Sequence, residues 1–189
     1  MELDSTYYLI FIVFYLVGSL PFALIVYKFM STADPRKSGS KNPGATNMYR
    51  IAGPLPGIFT FLGDFLKGFI PIYLLAEQNL VTAYMLSLFI LLGHMFSVFN
   101  NFKGGKGVAT SFGFILALDF QIGLAVSIIW IFIFLLKRIS GLSAIISFLF
   151  LPLITFVISD SQIFFLVSIL HSIIILLNHH KNIREMLES

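Results

Sequence analysis

The chain contains no cysteine and very little charge. The absence of cysteine excludes disulfide bonds, thiolate catalysis and metal centres with cysteine ligands. Only 11% of the 189 residues are charged, less than half of the share of about 25% that soluble domains carry. Hydrophobic residues make up 58%, and phenylalanine alone occurs 22 times. The composition therefore indicates an integral membrane protein.

Basic residues are absent from every second connection between the apolar segments. Seven apolar runs are candidate membrane helices, at residues 7–30, 55–76, 81–99, 108–118, 122–136, 142–158 and 163–177. Ten of the 12 lysines and arginines follow the first, third, fifth or seventh run, whereas the other connections and the N-terminal segment carry only acidic charges. Since short cytoplasmic loops collect lysine and arginine, this alternation predicts about seven transmembrane helices, with the N-terminus outside and the C-terminus in the cytoplasm.

The fourth apolar run, 108–118, is shorter than a usual membrane span. A spanning helix needs at least ~17 residues, so this run crosses only if the glycine-rich segment before it lies within the membrane boundary. The alternative is a re-entrant pair formed by the fourth and fifth runs, with five spans in total. No internal repeat or low-complexity segment divides the chain. We therefore expect an all-α, integral membrane helical bundle that forms a single domain over residues 1–189.

Glycine and lysine are concentrated between the third and fourth runs, in residues 101–110. Closely spaced glycines let backbone N–H groups turn inward and form an anion-binding nest, and lysines add positive charge beside it. The apolar run that follows predicts a helix N-terminus at the same place, which also favours anions. The residues concerned are Lys103, Gly104, Gly105, Lys106 and Gly107.

This glycine-lysine segment predicts a phosphate-binding loop, although not one for nucleotides. The spacing of a nucleotide-binding P-loop is missing, so nucleotide hydrolysis is not supported. A glycine hinge flanked by membrane-facing lysines is the alternative interpretation. No metal-binding motif of the H-E-x-x-H type occurs in the chain, and neither a metal nor a cofactor is expected.

The segment between the first two runs, residues 34–50, is rich in hydroxyl and amide side chains. Arg50 at its end can bind a phosphate through two parallel hydrogen bonds. A helix is expected to begin near Gly44, with Asn42 or Pro43 as its cap. The candidate phosphate ligands before Arg50 are Ser40, Asn42, Gly44, Thr46 and Asn47. A polar loop with an ordinary helix cap and membrane-facing arginines is the alternative.

Ionisable side chains also occur inside the apolar runs. Asp64 and Lys67 are three residues apart and so share a helix face. Because ionisable residues within membranes are rare and are usually paired or functional, we expect a buried ion pair that orients the site rather than catalytic groups. His94 is expected to be a packing residue close to the site, and His171 a structural residue without a visible partner.

Further polar positions lie near the predicted cytoplasmic ends of the last helices. Ser140 follows two basic residues that are expected to anchor the membrane surface, and it is a candidate helix cap or phosphate ligand. His179 and Asn182 are three residues apart on what is predicted to be a continuing helix, so they face the same side. A frayed, solvated tail is the alternative interpretation of these last residues.

The order and spacing of these motifs resemble those of membrane-embedded glycerol-3-phosphate acyltransferases that use acyl phosphate as donor. The resemblance extends over essentially the whole chain, and it is carried by residues 39–47 with Arg50, 64–68, 93–96, 102–110 and 179–183. The chain departs from the usual pattern at Ser97 in place of proline, Gly141 in place of a second serine, Asn178 in place of arginine, and Glu185 with Met186 in place of an Arg-Leu pair. No departure removes the central residue of a motif.

The resemblance implies a bacterial inner-membrane enzyme whose site faces the cytoplasm. Such an enzyme transfers a fatty acyl group from acyl phosphate to the sn-1 hydroxyl of glycerol 3-phosphate, and it forms lysophosphatidic acid and phosphate in the first step of phospholipid synthesis. By this resemblance the catalytic residues are Ser40, Arg50, Lys106, His179 and Asn182. Membrane lipid is an expected partner, a soluble enzyme that supplies acyl phosphate is a candidate partner, and no nucleic acid is expected.

Chemistry of this kind needs positioning and charge stabilisation more than covalent catalysis, because acyl phosphate is already activated. We expect the glycine-lysine segment to stabilise the leaving phosphate and the carbonyl oxygen. Glycerol 3-phosphate is expected to bind Ser40, Asn47, Arg50, His179 and Asn182. The general base is either His179 or an oxygen of a substrate phosphate, and the second is preferred. Two alternatives stay open: a transporter or channel for an organic phosphate, and an acyltransferase with a thioester donor.

Overall fold

The computed structural model describes residues 5–188, with side chains for residues 9–188, and all regular structure in this part of the chain is helical. The α-helices are α1 (Ser5–Ser19), α2 (Phe22–Phe29), α3 (Ala45–Ala52), α4 (Pro54–Ala76), α5 (Leu80–Met95), α6 (Val108–Leu118), α7 (Phe120–Lys137), α8 (Ser140–Ile158), α9 (Gln162–Asn178) and α10 (His180–Leu187). A short 3-10 turn, Val98–Asn100, follows α5. The predicted all-α class is confirmed.

The first apolar run forms two helices rather than one. Pro21 has no N–H to donate and disfavours helical backbone at Leu20, so α1 and α2 are bent by 43° relative to each other. The break exposes the carbonyl of Leu20, which accepts a hydrogen bond of 2.7 Å from Lys67 Nζ. A polar backbone group inside the apolar bundle is thereby paired with a buried cation.

Several of the described helices are long and apolar enough to cross a membrane. Among the described residues, four stretches meet that requirement alone, and six meet it if each bent pair, α1 with α2 and α9 with α10, forms one span. Their outward side chains are apolar, such as Phe156 and Val157, which are 68% and 73% exposed. Helix α6 has only 11 residues, and most of its side chains are buried against its neighbours. The seventh crossing and the orientation of the termini stay predictions.

Glycine lets α4 approach α6 closely. A Cβ at Gly113 would overlap the carbonyl oxygen of Phe65, and a Cβ at Gly68 would overlap the carbonyl oxygen of Thr110. Small residues at helix contacts are typical of membrane bundles, in which close packing rather than a hydrophobic drive holds the helices together. Helices α5 and α7 also pack on α6. The first residues of α6 are therefore held at the centre of the bundle, where the polar connections meet.

Two helix boundaries differ from the predicted ones. Helix α3 is capped by Gly44 in an extended conformation, rather than by Asn42 or Pro43. Helices α9 and α10 are bent by 62°, because the backbone of His179 between them leaves the helical range, with φ of −99° and ψ of 10°. The helix that was predicted to continue through Asn182 is therefore interrupted.

Candidate active site

A cavity of about 470 Å³ lies where the polar connections meet the helix ends. Its polar lining comes from the first loop with α3, from α4 and α5, from the start of α6, and from the α7–α8 turn and the α9–α10 bend. It includes Ser40, Asn42, Gly44, Thr46, Asn47, Arg50, Asp64, His94, Lys106, Arg138, Ser140, His179 and Asn182. Its apolar lining comes from the interior of α4, α6 and α7, and it includes Phe61, Phe65, Phe112, Leu116, Trp130 and Ile131. The structure thus brings together motifs that lie up to 142 positions apart in the chain.

Asn47 organises the first loop rather than offering its side chain to a ligand. Its Oδ1 accepts a hydrogen bond of 2.9 Å from the Ser40 backbone N–H. Its Nδ2 donates to the carbonyls of Pro35 and Ser38, at 3.0 and 3.1 Å. The predicted substrate contact of the Asn47 amide is therefore corrected, because both ends of this buried amide already bind the loop.

Ser40 and Arg50 face the cavity with their side-chain donors unpaired. Neither the Ser40 hydroxyl nor the Arg50 guanidinium has a hydrogen-bond or ion-pair partner among the described residues. Asn42, Gly44 and Thr46 also line the cavity, and their contacts with substrate stay predictions. An unpaired guanidinium and an unpaired hydroxyl on the lining of one cavity suit a phosphate.

The glycine-lysine loop does not form the predicted nest of inward N–H groups. Its first three N–H groups donate to backbone carbonyls instead, in the bonds Lys103–Asn100 (3.0 Å), Gly104–Met95 (2.8 Å) and Gly105–His94 (3.2 Å). A Cβ at Gly104 would overlap the His94 carbonyl, so glycine is required there for close packing. Lys103, Gly104 and Gly105 do not line the cavity. Their predicted phosphate contacts are therefore corrected.

The anion-binding part of this segment begins at Lys106. Lys106, Gly107, Val108 and Ala109 line the cavity, and the N–H groups of Val108 and Ala109 at the start of α6 have no acceptor among the described residues. Free N–H groups and the helix dipole make this end of α6 attractive to anions. Gly107 turns the chain into the helix with φ of 89°, a conformation that favours glycine.

Lys106 is held in place by the C-terminal segment. Its Nζ donates a hydrogen bond to Asn182 Oδ1. Burial lowers the pKa of Lys106, because a partly desolvated ammonium is less stable in its charged form. Asn182 therefore orients the one lysine of the glycine-lysine loop that lines the cavity, despite the bend between α9 and α10.

His179 is buried at the bend and lines the cavity beside Asn182. Its Nδ1 is 2.9 Å from the carbonyl oxygen of Ile175, so Nδ1 carries a proton and donates it. Burial lowers the pKa of His179 to about 4. At neutral pH the ring is therefore uncharged, and its second nitrogen, Nε2, is an acceptor.

A buried polar network connects α4, α5 and α6 beneath the cavity. Lys67 Nζ lies 2.7 Å from Asp64 Oδ1, which is the predicted ion pair. His94 Nδ1 is 3.5 Å from the same oxygen and 3.1 Å from Thr110 Oγ1. The His94 carbonyl accepts the N–H of Gly105. His94 is thus more than a packing residue, since it links the ion pair to the glycine-lysine loop.

His171 has a partner that the sequence did not reveal. A distance of 2.8 Å separates its Nε2 from the hydroxyl of Ser111. Its ring packs against Phe114 and Phe148, and it does not line the cavity. The expected structural role agrees with this position, whereas the expected lack of a partner was wrong.

Ser140 lines the cavity but does not cap α8. It is the first residue of that helix, and the cap position is occupied by Ile139. Its hydroxyl has no hydrogen-bond partner among the described residues, so it stays available to a ligand. Gly141 leaves room for Asn182, because a Cβ there would lie 3.1 Å from Asn182 Cγ.

Two other departures from the family pattern make local contacts. Asn178 Nδ2 donates a hydrogen bond of 3.1 Å to the carbonyl of Gly105. Ser97 donates through its hydroxyl to the carbonyl of Ser19. These bonds tie α9 and α1 to the segment around the cavity, so both residues support its shape.

The sequence alone does not identify Arg138 or the apolar wall as part of the cavity. Arg138 was assigned to membrane anchoring, yet it lines the cavity at the C-terminal end of α7. The apolar wall includes Phe112, Leu116 and Trp130. Apolar residues of a membrane helix suit lipid, protein core and ligand groove alike, so no pattern in the sequence separates them.

Comparison with known proteins gives consistent matches over nearly the whole chain. The family described as glycerol-3-phosphate acyltransferase matches residues 8–189. The glycerol-3-phosphate acyltransferase of Ruthia magnifica is 41% identical over 178 residues, which are 93% of this chain and 90% of that protein. The glycerol-3-phosphate acyltransferase of Hydrogenovibrio crunogenus is 37% identical over 177 residues, 92% of this chain and 85% of that protein.

Solved structures agree with these sequence matches. One match is the crystal structure of PlsY, an integral membrane glycerol 3-phosphate acyltransferase, in its glycerol 3-phosphate form. The TM-score is 0.91 and the sequence identity is 34%, and the match covers 97% of this chain and 93% of that chain. Its lysophosphatidic acid form has a TM-score of 0.89 and 33% identity, with the same coverage. The matches favour an acyltransferase over a transporter of organic phosphate. The chain belongs to the glycerol-3-phosphate acyltransferase family of integral membrane enzymes.

Proposed function

We propose that this protein transfers a fatty acyl group from acyl phosphate to the sn-1 hydroxyl of glycerol 3-phosphate, releasing lysophosphatidic acid and phosphate. One observation carries the proposal: a single cavity joins a cation-lined polar region to an apolar groove. Both substrates carry phosphate, and one also carries an acyl chain, so they need these two surfaces side by side. The glycerol 3-phosphate and lysophosphatidic acid forms of the PlsY structure support the acceptor and the product.

The apolar groove suits the acyl chain. Helices α4 and α7 both pack on α6 and make at most marginal contact with each other. Phe65 of α4, Leu116 of α6 and Trp130 of α7 line the resulting groove. At its edges, Phe61 and Ile131 are 40% and 52% exposed. A chain lying on α6 can therefore extend sideways between α4 and α7 into the bilayer.

The polar region stabilises charge during transfer. The sn-1 oxygen attacks the carbonyl carbon of the donor, the bond between that carbon and the phosphate oxygen breaks, and the electron pair leaves with the phosphate. Lys106 and the free N–H groups at the start of α6 stabilise the developing negative charge. Arg50 and Ser40 hold the phosphate of glycerol 3-phosphate, and Asn182 keeps Lys106 in position.

The proton of the sn-1 hydroxyl goes to a phosphate oxygen in this scheme. Neutral His179 has an accepting Nε2, so it is the competing base. A pKa of about 4 makes histidine a weak base at pH 7, whereas the second pKa of a phosphate monoester lies at about 6. The phosphate oxygen is therefore the stronger acceptor.

The pH profile separates these two bases. The pKa of His179 is lowered, so the ring stays neutral as the pH falls from 8 to 5 and gains a proton only near pH 4. We expect kcat/KM to fall on the acid side with an inflection at about pH 6, from substrate phosphate, in the wild type and in His179→Gln alike. The measurement is kcat/KM between pH 5 and 8. A wild-type profile without an inflection between pH 5 and 8, together with a large loss of kcat/KM in His179→Gln, would identify histidine as the base, because its pKa of about 4 lies below that range.

Arg50 is expected to act on glycerol 3-phosphate alone. Replacing it with lysine keeps the charge and removes the planar pair of donors, so the KM for glycerol 3-phosphate should rise about tenfold while the KM for the donor stays nearly constant. Steady-state kinetics with each substrate varied in turn measure both values. Lys37→Gln, an exposed basic residue of the same loop outside the cavity, is the matched control. Equal rises in both KM values contradict the assignment.

The donor is tested directly with purified protein in lipid nanodiscs. Palmitoyl phosphate and palmitoyl-CoA are each incubated with glycerol 3-phosphate, and both phosphate release and lysophosphatidic acid are measured. We expect product from palmitoyl phosphate only, and phosphate release that requires both substrates. Product from palmitoyl-CoA at an equal rate supports the thioester alternative, and phosphate release without lysophosphatidic acid contradicts acyl transfer.

We further propose one domain over residues 1–189 in a bacterial inner membrane, with the cavity open to the cytoplasm. The chain has no cysteine, so single-cysteine variants report sidedness without background. In spheroplasts, a membrane-impermeant maleimide is expected to label Asp160→Cys and not Lys103→Cys, and inverted vesicles should give the reverse. Labelling of both positions from one side contradicts this topology.

A further inference from the structure

Arg138 occupies an unusual position on the wall of the cavity. It follows the last residue of α7 in a left-handed backbone conformation, with φ of 57°, which residues with a Cβ adopt infrequently. Its guanidinium has no acceptor among the described residues. The neighbouring Lys137 is also basic and exposed but does not line the cavity. The two residues therefore differ in position and not in charge.

Arg138 stands at the polar end of the acyl groove. Trp130 and Ile131 of α7 line the groove, and Arg138 follows them by seven or eight residues, which is about 11 Å along a helix. Arg50 belongs to α3, which packs on α4 rather than on α7. The two arginines thus reach the cavity from different walls, and Arg138 continues the α7 wall of the acyl groove.

The charge of two phosphate substrates also favours a third cation in the cavity. Among the described residues, the cations that line it are Arg50, Lys106 and Arg138, and its one carboxylate, Asp64, is paired with Lys67. A phosphate monoester carries a charge of about −1.5 to −2 at neutral pH. Two bound phosphate substrates together carry about −3 to −4, which exceeds the charge of Arg50 and Lys106, and Arg138 brings the cationic charge of the lining to the lower end of that range.

We propose that Arg138 binds the phosphate of the acyl donor and makes the enzyme select a phosphorylated donor. This inference rests on the proposed function. In an acyl phosphate the phosphorus is two bonds from the carbonyl carbon, so a chain that lies on α6 against the α7 wall places its phosphate between the start of α6 and the polar end of α7. A guanidinium there forms two parallel hydrogen bonds to the phosphate, which a thioester sulfur does not accept.

The kinetic test compares Arg138→Asn, Arg138→Lys and Lys137→Gln in the full chain. Asparagine tolerates the left-handed conformation, so the first variant removes the charge with little added strain. We expect Arg138→Asn to raise the KM for palmitoyl phosphate about tenfold or more, with less than a twofold change for glycerol 3-phosphate. Arg138→Lys should be intermediate, and Lys137→Gln should match the wild type. Equal changes in both KM values, or equal changes in Arg138→Asn and Lys137→Gln, overturn the proposal.

A binding measurement keeps this inference separate from the proposed reaction. Dodecyl phosphate carries a chain and a phosphate but has no acyl group to transfer, and its affinity for each variant is measured by calorimetry with dodecanol as reference. We expect Arg138→Asn to weaken dodecyl phosphate about tenfold and to leave dodecanol unchanged. This result supports the phosphate site even if the wild type fails to transfer the acyl group. Equal affinities of wild type and Arg138→Asn for dodecyl phosphate overturn it.

Discussion

Replacing Lys106 with glutamine is expected to lower kcat about 100- to 1,000-fold, the range seen when one preorganised donor to a developing negative charge is removed. The same change at Lys103 should leave kcat within about twofold, because an exposed charge outside the site contributes little. Lys106 lines the cavity and is held by Asn182, whereas Lys103 is exposed and lies outside it. The two lysines are three positions apart in one loop, so each is the control for the other.

The measurement is kcat at saturating concentrations of both substrates, with protein folding checked by size-exclusion chromatography. Equal losses in the two variants would mean that the loop acts as a diffuse positive surface and that its geometry is unimportant. A large loss of kcat at Lys103 alone would instead place the phosphate site at Gly104 and Gly105, beside Lys103. Asn182→Ala tests the same point independently, because it frees Lys106 to move but keeps its charge. It should therefore lower kcat less than Lys106→Gln does.

This contrast between the two lysines marks the limit of what the sequence predicts about the site. The glycines and lysines of the loop identify it as a place where anions bind. Whether an N–H group is free depends on a partner elsewhere, and here the carbonyls of His94 and Met95 take the N–H groups of Gly105 and Gly104. The same holds for Asn47, whose amide binds its own loop. Composition thus predicts the ligand chemistry, and tertiary contacts decide which atoms remain available.

The sequence predicts the fold better than the site, because the length of an apolar run can be read from consecutive residues. Each apolar run corresponds to helix in the structure. The break at Pro21 carried a recognisable signal, whereas no proline or glycine marks the bend of 62° at His179. Asp64 and Lys67 were predictable as a pair because helical spacing brings them together. Arg138 was not, since a basic residue at a helix end equally suits membrane anchoring.

Breaking the Asp64–Lys67 pair is expected to destabilise the protein strongly. Both side chains are 3% exposed, and their charged atoms are 2.7 Å apart. Removing one partner of a buried pair costs about 3–5 kcal/mol, because the other charge is left uncompensated. We therefore expect Asp64→Asn and Lys67→Met each to lower the free energy of unfolding by that amount, measured by denaturant titration in mixed micelles. Asp34→Asn breaks the pair with Arg36 at 2.8 Å, in which the arginine side chain is 44% exposed, and should cost less than either change in the buried pair.

The double variant Asp64→Leu with Lys67→Met distinguishes a structural pair from one that orients the site. Replacing both charges with apolar groups removes the uncompensated charge, so most of the stability should return. Turnover should not return, because His94 loses its contact with Asp64 and its carbonyl holds the N–H of Gly105 one residue before Lys106. Recovery of both stability and kcat would mean that the pair has only a structural role. Recovery of stability alone would mean that the pair serves the site, either through His94 or through Asp64, which lines the cavity.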